Sequence, residues 1–423
     1  MIYDIAFFIF SVFYLPTLLF KGKLHRDFLE RFGIFSRDKE ASLASGKDVI
    51  WIEAVSVGEV SLCKNFLPLL KKKFPHSSIV LSTVTKTGND LAKKLFSDTA
   101  TVVYFPLDFT FIVKKVVAKI RPKIYVMVET EIWPNLLKEI YRNSIPAILI
   151  NGRISDKSFG KYKLVRPFLK KILDKIGVFC MQSKVYAERI IALGAPEARV
   201  RVTGNMKFDV NIAQGAKPVN RMQELIGLKD GQELFVAGST HSGEEEEVLE
   251  AFKTLVKDFP KLKLLIAPRH IDRASEVEKA VKRWGLGSQR MSDLNSGHTA
   301  PDGQSVLILD AIGQLNDIYA ISTLVFVGGS LIKHGGQNPI EPAVLEKPVL
   351  FGPYMFNFKD IANVLLSNNA AMQVVDGKDI FEKSKFLLSN REELSRLGRN
   401  AKKIVLENGG ATGENLKAIS EVL

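Results

Sequence analysis

Short apolar runs alternate with amphipathic stretches along most of the chain. Runs rich in β-branched and apolar residues predict strands at 49–52, 78–82, 101–104, 124–128, 147–150 and 178–181, and again at 234–237, 262–266, 305–309, 324–327 and 348–351. The stretches between them, among them 60–73, 88–96 and 109–119, repeat their apolar positions with the period of a helix. Strands that alternate with helices are typical of doubly wound parallel sheets, so the pattern predicts an α/β fold.

This alternation is interrupted between 204 and 233, where the chain becomes polar and irregular. A length of 423 residues also exceeds one ordinary core. We therefore predict two Rossmann-like domains that face across a cleft, at 21–207 and 231–400, joined by a linker at 208–230. The last residues, 401–423, are predicted to form a helix that packs back on the first domain.

The N-terminal residues 5–20 read IAFFIFSVFYLPTLLF and predict a membrane-anchoring helix over 1–20. A cleaved signal peptide begins with basic residues, whereas this segment begins with Asp4. It is shorter than the ~20 residues of a spanning helix, and Pro16 interrupts it, so spanning the bilayer and lying in its interface both stay open. Cations follow the segment, which in a spanning arrangement leaves the body in the cytoplasm. A buried helix of the first domain is the alternative.

The charge of the chain is unevenly distributed. Residues 1–207 hold 34 Lys and Arg against 18 Asp and Glu, a net of +16, whereas the remainder has a net of −3. A basic half predicts contact with an anionic membrane or a polyanion. No helix-turn-helix, zinc-finger or RNP-like pattern accompanies the cations, which argues against nucleic acid. Cys63 and Cys180 belong to no CxxC pair, so we expect a reducing compartment and no zinc site.

Two glycine pairs in the second half predict a binding site. Gly328 and Gly329, followed by Ser330, end a predicted strand at a point where the backbone can approach a ligand closely. After the second pair, Asn338 is predicted to cap a helix that has Glu341 in its first turn. A helix start preceded by glycines presents free N–H groups to a phosphate. A capping box with no ligand is the alternative.

Other polar residues of the second half also follow predicted strands, where open α/β sheets bind ligands. Arg269 and His270 suit an anionic or nucleotide ligand, and Ser239 and Thr240 are possible phosphate or sugar contacts. The four glutamates 244–247 open a helix and are accounted for by its dipole. Lys207, at the end of the first domain, is predicted to reach a phosphate.

In the first half, Ser56, Gly58 and Glu59 follow the strand WIEAV, and Glu129, Glu131 and Asn135 follow IYVMV beside Trp133. Two carboxylates at a strand end next to a tryptophan predict a sugar site, although turn or cap roles also explain Glu59 and Asn135. The chain has no GxGxxG after its first strand and no GxxxxGK[ST], which argues against a dehydrogenase or a P-loop NTPase. It has no DxD-like pair at a strand end either, so we predict no metal and no cofactor.

Ten strings, in order from about residue 21 to 365, resemble those of the 3-deoxy-D-manno-octulosonic acid (Kdo) transferases. They are ERFG at 30–33, AVSVGE at 54–59, ETEIWPN at 129–135, NGRIS at 151–155, TGNMKFD at 203–209, STHSGEE at 239–245, APRH at 267–270, VGGSL at 327–331, GGQNPIEP at 335–342 and GPYMFNFKD at 352–360.

This resemblance implies a GT-B fold, with an acceptor-binding first domain and a donor-binding second domain. It implies transfer of Kdo from CMP-Kdo to a lipid A precursor (lipid IVA), with inversion at the anomeric carbon. The implied place is the cytoplasmic face of the inner membrane of a Gram-negative bacterium. The expected partners are CMP-Kdo, the lipid acceptor and an anionic membrane surface, with no nucleic acid.

By the same resemblance, the general base falls on Glu30, which taken alone is an unremarkable glutamate. The implied donor pocket consists of Arg269, His270, Asn338, Glu341 and the GGS turn, which is Gly328, Gly329 and Ser330. The NGRIS string adds Arg153 to the acceptor-site candidates. One departure is visible, since this chain has Glu53 where relatives commonly have His. A GT-B transferase that uses a UDP-sugar is the alternative enzyme, and a nonenzymatic lipid- or nucleic-acid-binding protein is the alternative from another class.

Overall fold

A computed structural model describes residues 3–5, 7–9, 26–210, 219–298 and 305–423. The chain divides into unit 1, formed by Met1–Asp209 and Gly409–Leu423, and unit 2, formed by Val210–Asn408. Most of the predicted anchor and residues 211–218 of the predicted linker lie outside the described residues. Within the described ranges, no helix has the length and apolar character needed to cross a bilayer.

Unit 1 contains a parallel sheet of seven strands in the order β3-β2-β1-β4-β5-β6-β7. In the register of its centre, Ile50 lies between Ile79 of one neighbouring strand and Ile124 of the other. The strands are β1 (Ile50–Glu53), β2 (Ile79–Thr83), β3 (Thr101–Tyr104), β4 (Ile124–Val128), β5 (Ala147–Gly152), β6 (Val178–Met181) and β7 (Val200–Val202).

Unit 2 repeats the arrangement with seven parallel strands in the order β10-β11-β9-β8-β12-β13-β14. Its central strand pairs Val236 with Leu265 on one side and with Val325 on the other. The strands are β8 (Glu233–Thr240), β9 (Leu262–Pro268), β10 (Gly287–Arg290), β11 (Ser305–Ile308), β12 (Leu324–Val327), β13 (Val349–Phe351) and β14 (Met372–Gln373).

Helices connect the strands in both units. Those of unit 1 are Arg37–Ser45, Val57–Lys73, Lys86–Phe96, Thr110–Ile120, Pro134–Arg142, Asp156–Leu164, Arg166–Leu173, Lys184–Ala192 and Ala411–Val422, with 3-10 turns at Arg26–Phe32, Glu197–Arg199 and Met206–Phe208. Those of unit 2 are Val219–Leu225, Glu244–Asp258, Ala274–Arg283, Met291–Asn295, Leu315–Ile321, Ile340–Val344, Lys359–Ser367, Gly377–Ser389 and Arg391–Glu407, with a 3-10 turn at Ile271–Arg273.

The central strands are apolar on both faces because helices cover both faces of each sheet. Along β1, Trp51 joins one hydrophobic cluster with Tyr125, while Ile50 and Ile52 join the cluster on the opposite face. All of these side chains are fully buried. The fold confirms the predicted α/β class and the parallel sheets. The short edge strands β7, β10 and β14 were not predicted.

The last helix, Ala411–Val422, belongs to unit 1. It contributes apolar side chains, among them Ala411 and Ile419, to the same cluster as Ile52. The Asp209 carboxylate accepts hydrogen bonds from the backbone N–H groups of Gly410 and Thr412, 2.5 Å each. The two chain segments of unit 1 are thus joined at the point where the polypeptide leaves and re-enters it.

Candidate functional site

The polar residues predicted to form sites gather at the carboxyl ends of the central strands. In unit 1 the chain proceeds from β1 toward one edge of the sheet, through β2 and β3, and from β4 toward the other. In unit 2 the same reversal separates β8 from β12. Such a switch point leaves a crevice between the two crossover loops, which is where open α/β sheets bind ligands.

Four glutamates at the switch point of unit 1, here called the carboxylate cluster, are Glu53, Glu59, Glu129 and Glu131. Glu53 ends β1 and is fully buried. Its carboxylate accepts hydrogen bonds from the Tyr125 hydroxyl and from the indole N–H of Trp133, the latter at 2.6 Å. Burial raises the pKa of Glu53 well above its ordinary value, although both hydrogen bonds favour the ionised form. Sequence analysis noted Glu53 only as a departure from relatives.

Glu59 lies in the first turn of Val57–Lys73 and is 6% exposed. Its carboxylate folds back on the preceding loop, where it accepts from the Val55 N–H and, at 3.2 Å, from the Ser56 hydroxyl. Burial, followed by the charges of Glu129 and Glu131, raises the pKa of Glu59 to about 8. Ser56 occupies the N-cap position without a side-chain cap bond, and Glu59 binds back to the loop before the helix, while the nearby Gly58 is exposed.

Glu129 and Glu131 follow β4 and are both half-buried. Glu129 has a φ of 61°, in the left-handed region, and its Oε2 lies 2.9 Å from Nε of Arg153. The structure thus brings three predicted acceptor-site residues together. Burial, followed by the charge of Glu129, raises the pKa of Glu131 to about 7, so this carboxyl group titrates near neutral pH. A group of that kind can either accept or donate a proton.

Asn135 is buried and bound to the loop that follows β3. Its backbone N–H donates to Oδ2 of Asp108 at 3.0 Å, and its Nδ2 donates to the Asp108 carbonyl at 2.6 Å. The same Nδ2 reaches Oδ1 of Asp4 at 3.0 Å. These contacts fix the start of Pro134–Arg142, which is the structural role that the sequence left open for Asn135.

Glu30 lies in the 3-10 turn Arg26–Phe32, and its side chain is turned into unit 1 so that the residue is 4% exposed. Oε1 lies 2.5 Å from Nζ of Lys39, and Oε2 accepts from the backbone N–H of Tyr104 at 3.0 Å. Gly33 ends the turn with a φ of 68°. Lys39 and Tyr104 therefore hold both carboxylate oxygens in a fixed orientation. The sequence pattern predicted neither contact.

The GGS turn of unit 2 closes around a buried glutamate. Gly328 lies so close to the end of β8 that a Cβ atom there would come within 2.5 Å of the Ser239 carbonyl oxygen. The backbone N–H groups of the next three residues donate to the fully buried Glu244 carboxylate: Gly329 at 2.6 Å, and Ser330 and Leu331 at 2.9 Å each. Gly329 and Ser330, which were predicted to contact a ligand, thus donate their N–H groups to a side chain of the protein.

The glutamates 244–247 therefore do more than favour the helix dipole. Besides the GGS turn, Glu244 accepts from the His241 N–H at 2.9 Å. Glu245 accepts from the Thr240 hydroxyl at 2.9 Å and pairs with Arg273 at 2.8 Å. The Thr240 hydroxyl is thus bound within unit 2, while Ser239, with a φ of 56°, is half-buried.

Three histidines converge at the carboxyl end of the unit 2 sheet and are here called the histidine cluster: His241, His270 and His334. The ring centroid of His241 is 3.9 Å from that of His334 and 6.1 Å from that of His270. Gln337 Nε2 lies 3.2 Å from His241 Nε2. Burial, followed by the positive charge of its neighbours, lowers the pKa of His241 to about 4. Of the three, only His270 was predicted as a site residue.

Arg269 and His270 are exposed at the end of β9, as their positions in the sequence suggested. Arg269 and Arg273 add positive charge beside the histidine cluster, and both contribute to the lowered pKa of His241. An exposed arginine flanked by imidazoles suits an anionic ligand.

The helix after the second glycine pair begins at Ile340, one residue later than predicted, and is only five residues long. Asn338 Oδ1 accepts from the Ile340 N–H at 3.1 Å, and its Nδ2 donates to Glu341 at 3.2 Å. The dipole of so short a helix is small, so other groups must help to neutralise a phosphate bound there. Lys207 lies in the 3-10 turn Met206–Phe208 of unit 1, where its N–H donates to Asn205 at 3.0 Å.

Comparison with known proteins identifies the family. The family profile described as 3-Deoxy-D-manno-octulosonic-acid transferase (kdotransferase) matches residues 26–210. The 3-deoxy-D-manno-octulosonic acid transferase of Haemophilus influenzae is 33% identical over 364 residues, which cover 86% of this chain and 84% of that protein. The chain belongs to the Kdo transferase family. The 3-deoxy-D-manno-octulosonic acid transferase of Chlamydia pneumoniae is 32% identical, and the match covers 92% of this chain and 89% of that protein.

The Kdo transferase is thus a glycosyltransferase, and its fold agrees with that assignment. The crystal structure of a glycosyltransferase from Rickettsia africae matches 89% of this chain and 99% of its own with a TM-score of 0.57. At 12% identity this match shows the GT-B-like fold alone. Among the residues for which coordinates are described, no group of three or more His, Cys, Asp or Glu side chains is arranged to hold a metal ion.

Proposed function

We propose that this Kdo transferase transfers Kdo from CMP-Kdo to a lipid A precursor, lipid IVA, with inversion at the anomeric carbon. The observation that carries the proposal is the opposite chemistry of the two switch points, carboxylates in unit 1 and cationic or neutral nitrogen bases in unit 2. CMP-Kdo carries a phosphodiester and a carboxylate, so its negative charges suit Arg269 and the histidine cluster. A hydroxyl acceptor needs a base to remove its proton, and unit 1 supplies Glu30 and the carboxylate cluster.

The donor is proposed to bind with its charged groups near Arg269, His270 and His334. His241 is held between the other two imidazoles and Gln337. Its lowered pKa leaves it neutral at neutral pH, so it can donate one hydrogen bond without adding a charge. Glu341 is proposed to bind the ribose hydroxyls, with Asn338 orienting it across their 3.2 Å hydrogen bond.

Transfer is proposed as a direct displacement. The acceptor hydroxyl oxygen bonds to the anomeric carbon on the face opposite CMP, and the bond from that carbon to the phosphate oxygen breaks. CMP leaves with the electron pair, and the hydroxyl proton passes to a carboxylate. Such general-base assistance contributes roughly 10²–10⁴ in rate.

Glu30 is proposed as that base, with Lys39 as its positioning residue. The hydrogen bond from the Tyr104 N–H and the ion pair to Lys39 hold the carboxylate in one orientation, which is what a base with a fixed target requires. Glu131 is the second candidate. It is favoured by its pKa of about 7 and by its place at the carboxyl end of β4.

The reaction is proposed to take place at the cytoplasmic face of the inner membrane of a Gram-negative bacterium. The basic first half of the chain supports this location, because cations near an anionic leaflet are attracted to it. No metal ion or cofactor is part of the proposal, since cationic side chains beside the donor phosphate can neutralise its charge.

The test is to supply radiolabelled CMP-Kdo with and without lipid IVA and to follow label in the lipid fraction. We expect transfer that requires both substrates, with a product mass increased by whole Kdo units. A UDP-sugar supplied in place of CMP-Kdo is the control. Transfer from the UDP-sugar, with none from CMP-Kdo, would contradict the proposed donor.

A further inference from the structure

Glu53 is the most deeply buried member of the carboxylate cluster, and the proposed reaction assigns it no proton transfer. None of its surface is exposed, whereas Glu59 is 6% exposed and Glu129 and Glu131 are half-buried. A side chain without exposed surface cannot touch a substrate in this conformation. Any part that Glu53 has in transfer must therefore act through the residues that it contacts.

The contacts of Glu53 reach a tryptophan at the end of the loop that follows β4. Its Oε1 accepts from the indole N–H of Trp133 at 2.6 Å, and its Oε2 is hydrogen-bonded to the Tyr125 hydroxyl. Tyr125 is fully buried within the sheet and serves as a fixed anchor. Trp133 is only half-buried and stands immediately before helix Pro134–Arg142. Glu53 thus ties a partly exposed loop residue to the core.

Trp133 closes the loop that carries Glu129 and Glu131, here called the 129–133 loop. At the other end of the loop, Arg153 Nε lies 2.9 Å from the Glu129 carboxylate, and the Arg153 N–H donates to the Thr130 hydroxyl at 3.0 Å. Among the residues that the structure describes, none donates a hydrogen bond to the Glu131 carboxylate. The position of Glu131 therefore depends on the two anchored ends of its loop.

The surroundings of Glu53 favour a neutral carboxyl group. The described residues form no ion pair with it, and the charges that act on it most are those of Glu131 and Glu59, which repel a negative charge. An unpaired charge is costly to bury, so the carboxyl group keeps its proton. An indole N–H can only donate, which makes Oε1 an acceptor and places the proton between Oε2 and the Tyr125 hydroxyl.

We propose that Glu53 is a positioning residue for the acceptor, because it holds the 129–133 loop through Trp133 and so aims Glu131 at the acceptor sugar. A neutral partner suits this task, since it fixes the indole without adding a further charge beside the other carboxylates. The inference rests on the proposed function, in which a carboxylate of unit 1 meets the acceptor hydroxyl.

Substitutions of Glu53 test the proposal by steady-state kinetics. Glu53→Leu removes both hydrogen bonds, so the KM for lipid IVA should rise at least about tenfold while kcat and the KM for CMP-Kdo stay unchanged. Glu53→Gln keeps an acceptor for the Trp133 N–H and a donor for Tyr125, and it should keep the KM for lipid IVA within about twofold of the native value. A large loss of kcat in Glu53→Gln would overturn the proposal, because it would make Glu53 an ionised base.

Trp51 offers a matched control in the same sheet. Its indole N–H donates to the Ser82 hydroxyl at 2.8 Å, and both residues are fully buried. Ser82→Ala therefore deprives a core indole of its partner without touching the 129–133 loop, and its KM for lipid IVA should stay at the native value. A rise equal to that of Glu53→Leu would overturn the proposal, because any loosened core would then raise this KM.

A double-mutant cycle tests whether Glu53 acts through Trp133. Trp133→Phe keeps an aromatic ring and removes the N–H, so it should also raise the KM for lipid IVA. In the Trp133→Phe background, Glu53→Leu should change this KM by less than about twofold. Effects that multiply in the double variant would show that the two side chains act independently and would overturn the proposal. If Glu53→Leu does not fold, an unchanged KM in Trp133→Phe alone has the same force.

The fluorine spectrum of the full chain labelled with 5-fluorotryptophan tests the anchor without donor or acceptor. The chain has three tryptophans, and Trp133→Phe assigns the resonance of Trp133. Glu53→Leu should shift and broaden that resonance, whereas Ser82→Ala should leave it in place. An unchanged Trp133 resonance in Glu53→Leu would overturn the proposal. Absence of Kdo transfer by the native chain, together with the expected spectra, would instead contradict only the proposed function.

Discussion

The two units share a topology and differ in what lies at its switch point. In each, a glutamate at the start of the first crossover helix folds back on the loop before it: Glu59 binds the Val55 N–H, and Glu244 binds the N–H of His241. In unit 1 other carboxylates surround that glutamate and raise its pKa, after burial, to about 8. In unit 2 it is surrounded by N–H donors from the GGS turn. One device thus occurs beside the proposed base in unit 1 and beside the proposed donor site in unit 2.

The largest expected effect concerns the unit with the carboxylates. Glu30→Gln keeps the shape of the side chain and removes its basicity, so turnover should fall at least about 10²-fold while the variant folds and binds CMP normally. Steady-state kinetics and calorimetry of CMP binding check both halves of this expectation. Glu40→Gln, an exposed position in the helix after Glu30, is the control and should be near normal.

Near-normal turnover of Glu30→Gln would remove Glu30 from the mechanism. The same kinetics on Glu131→Gln would then decide whether the carboxylate cluster supplies the base. A loss of about 10² in that variant alone would assign the role to Glu131.

In unit 2 the corresponding change is Glu244→Gln. A neutral amide would replace a buried carboxylate that accepts four backbone hydrogen bonds, and its NH₂ group would face an N–H donor. We expect a loss of about 2–4 kcal/mol in the free energy of unfolding of unit 2, together with weaker donor binding. Urea unfolding measures the first and CMP calorimetry the second. Glu250→Gln, exposed on the same helix, should change neither.

The two units should respond to pH with opposite signs. Glu131 has a pKa raised from 4.5 to about 7, so folded unit 1 binds more protons than the unfolded chain between these values, and its stability falls as the pH rises through that window. His241 has a pKa lowered from 6.5 to about 4, so the stability of unit 2 rises as the pH rises from 4 to 6.5.

Native-state hydrogen exchange of amides in β4 and β8, corrected for the intrinsic rate at each pH, measures the two trends separately. Glu131→Gln should reduce the slope of the β4 trend, to which the raised pKa values of Glu53 and Glu59 also contribute, and should leave the β8 trend unchanged. His241→Gln should flatten the trend of β8 and leave that of β4. Trends of the same sign in both strands would contradict the contrast between the units.

The smallest expected effect is that of a chelator. If the cations beside the histidine cluster neutralise the donor phosphate, EDTA should leave Kdo transfer unchanged. Loss of transfer in EDTA, with recovery on adding a divalent cation, would mean that unit 2 does not neutralise this charge with side chains alone. A phosphate-free buffer and a matched ionic strength control for effects of EDTA as an anion.

Apolar runs predicted the central strands well because those strands are buried on both faces, as Ile124–Val128 is. The edge strands lack this signal: β10 reads GSQR, and in β7 the side chain of Val202 is 55% exposed. The sites were harder to predict for a different reason. Four glutamates at the start of a helix are already accounted for by the helix dipole. The hydrogen bonds that Glu244 accepts from a loop some 85 residues away could therefore not be inferred from the sequence.

Likewise, His241 and His334 stand 93 residues apart in the sequence, and only the pairing of β8 with β12 brings their rings to 3.9 Å. Glu30 shows the converse. Its sequence neighbourhood predicted nothing, and its importance was implied by resemblance alone. What the sequence pattern could not reveal was the pair of contacts, to Lys39 and to Tyr104, that orients its carboxylate.

The return of the chain to unit 1 has a consequence for synthesis on the ribosome. Ala411 and Ile419 complete a core whose other members, such as Ile52, are made first. Unit 2 is one continuous segment and can fold as soon as it has emerged, in keeping with the tendency of domains to fold as units during translation. Unit 1, although it is begun first, must wait until its last helix, Ala411–Val422, has been made after the whole of unit 2. The unit that carries the carboxylate cluster is therefore the later of the two to mature.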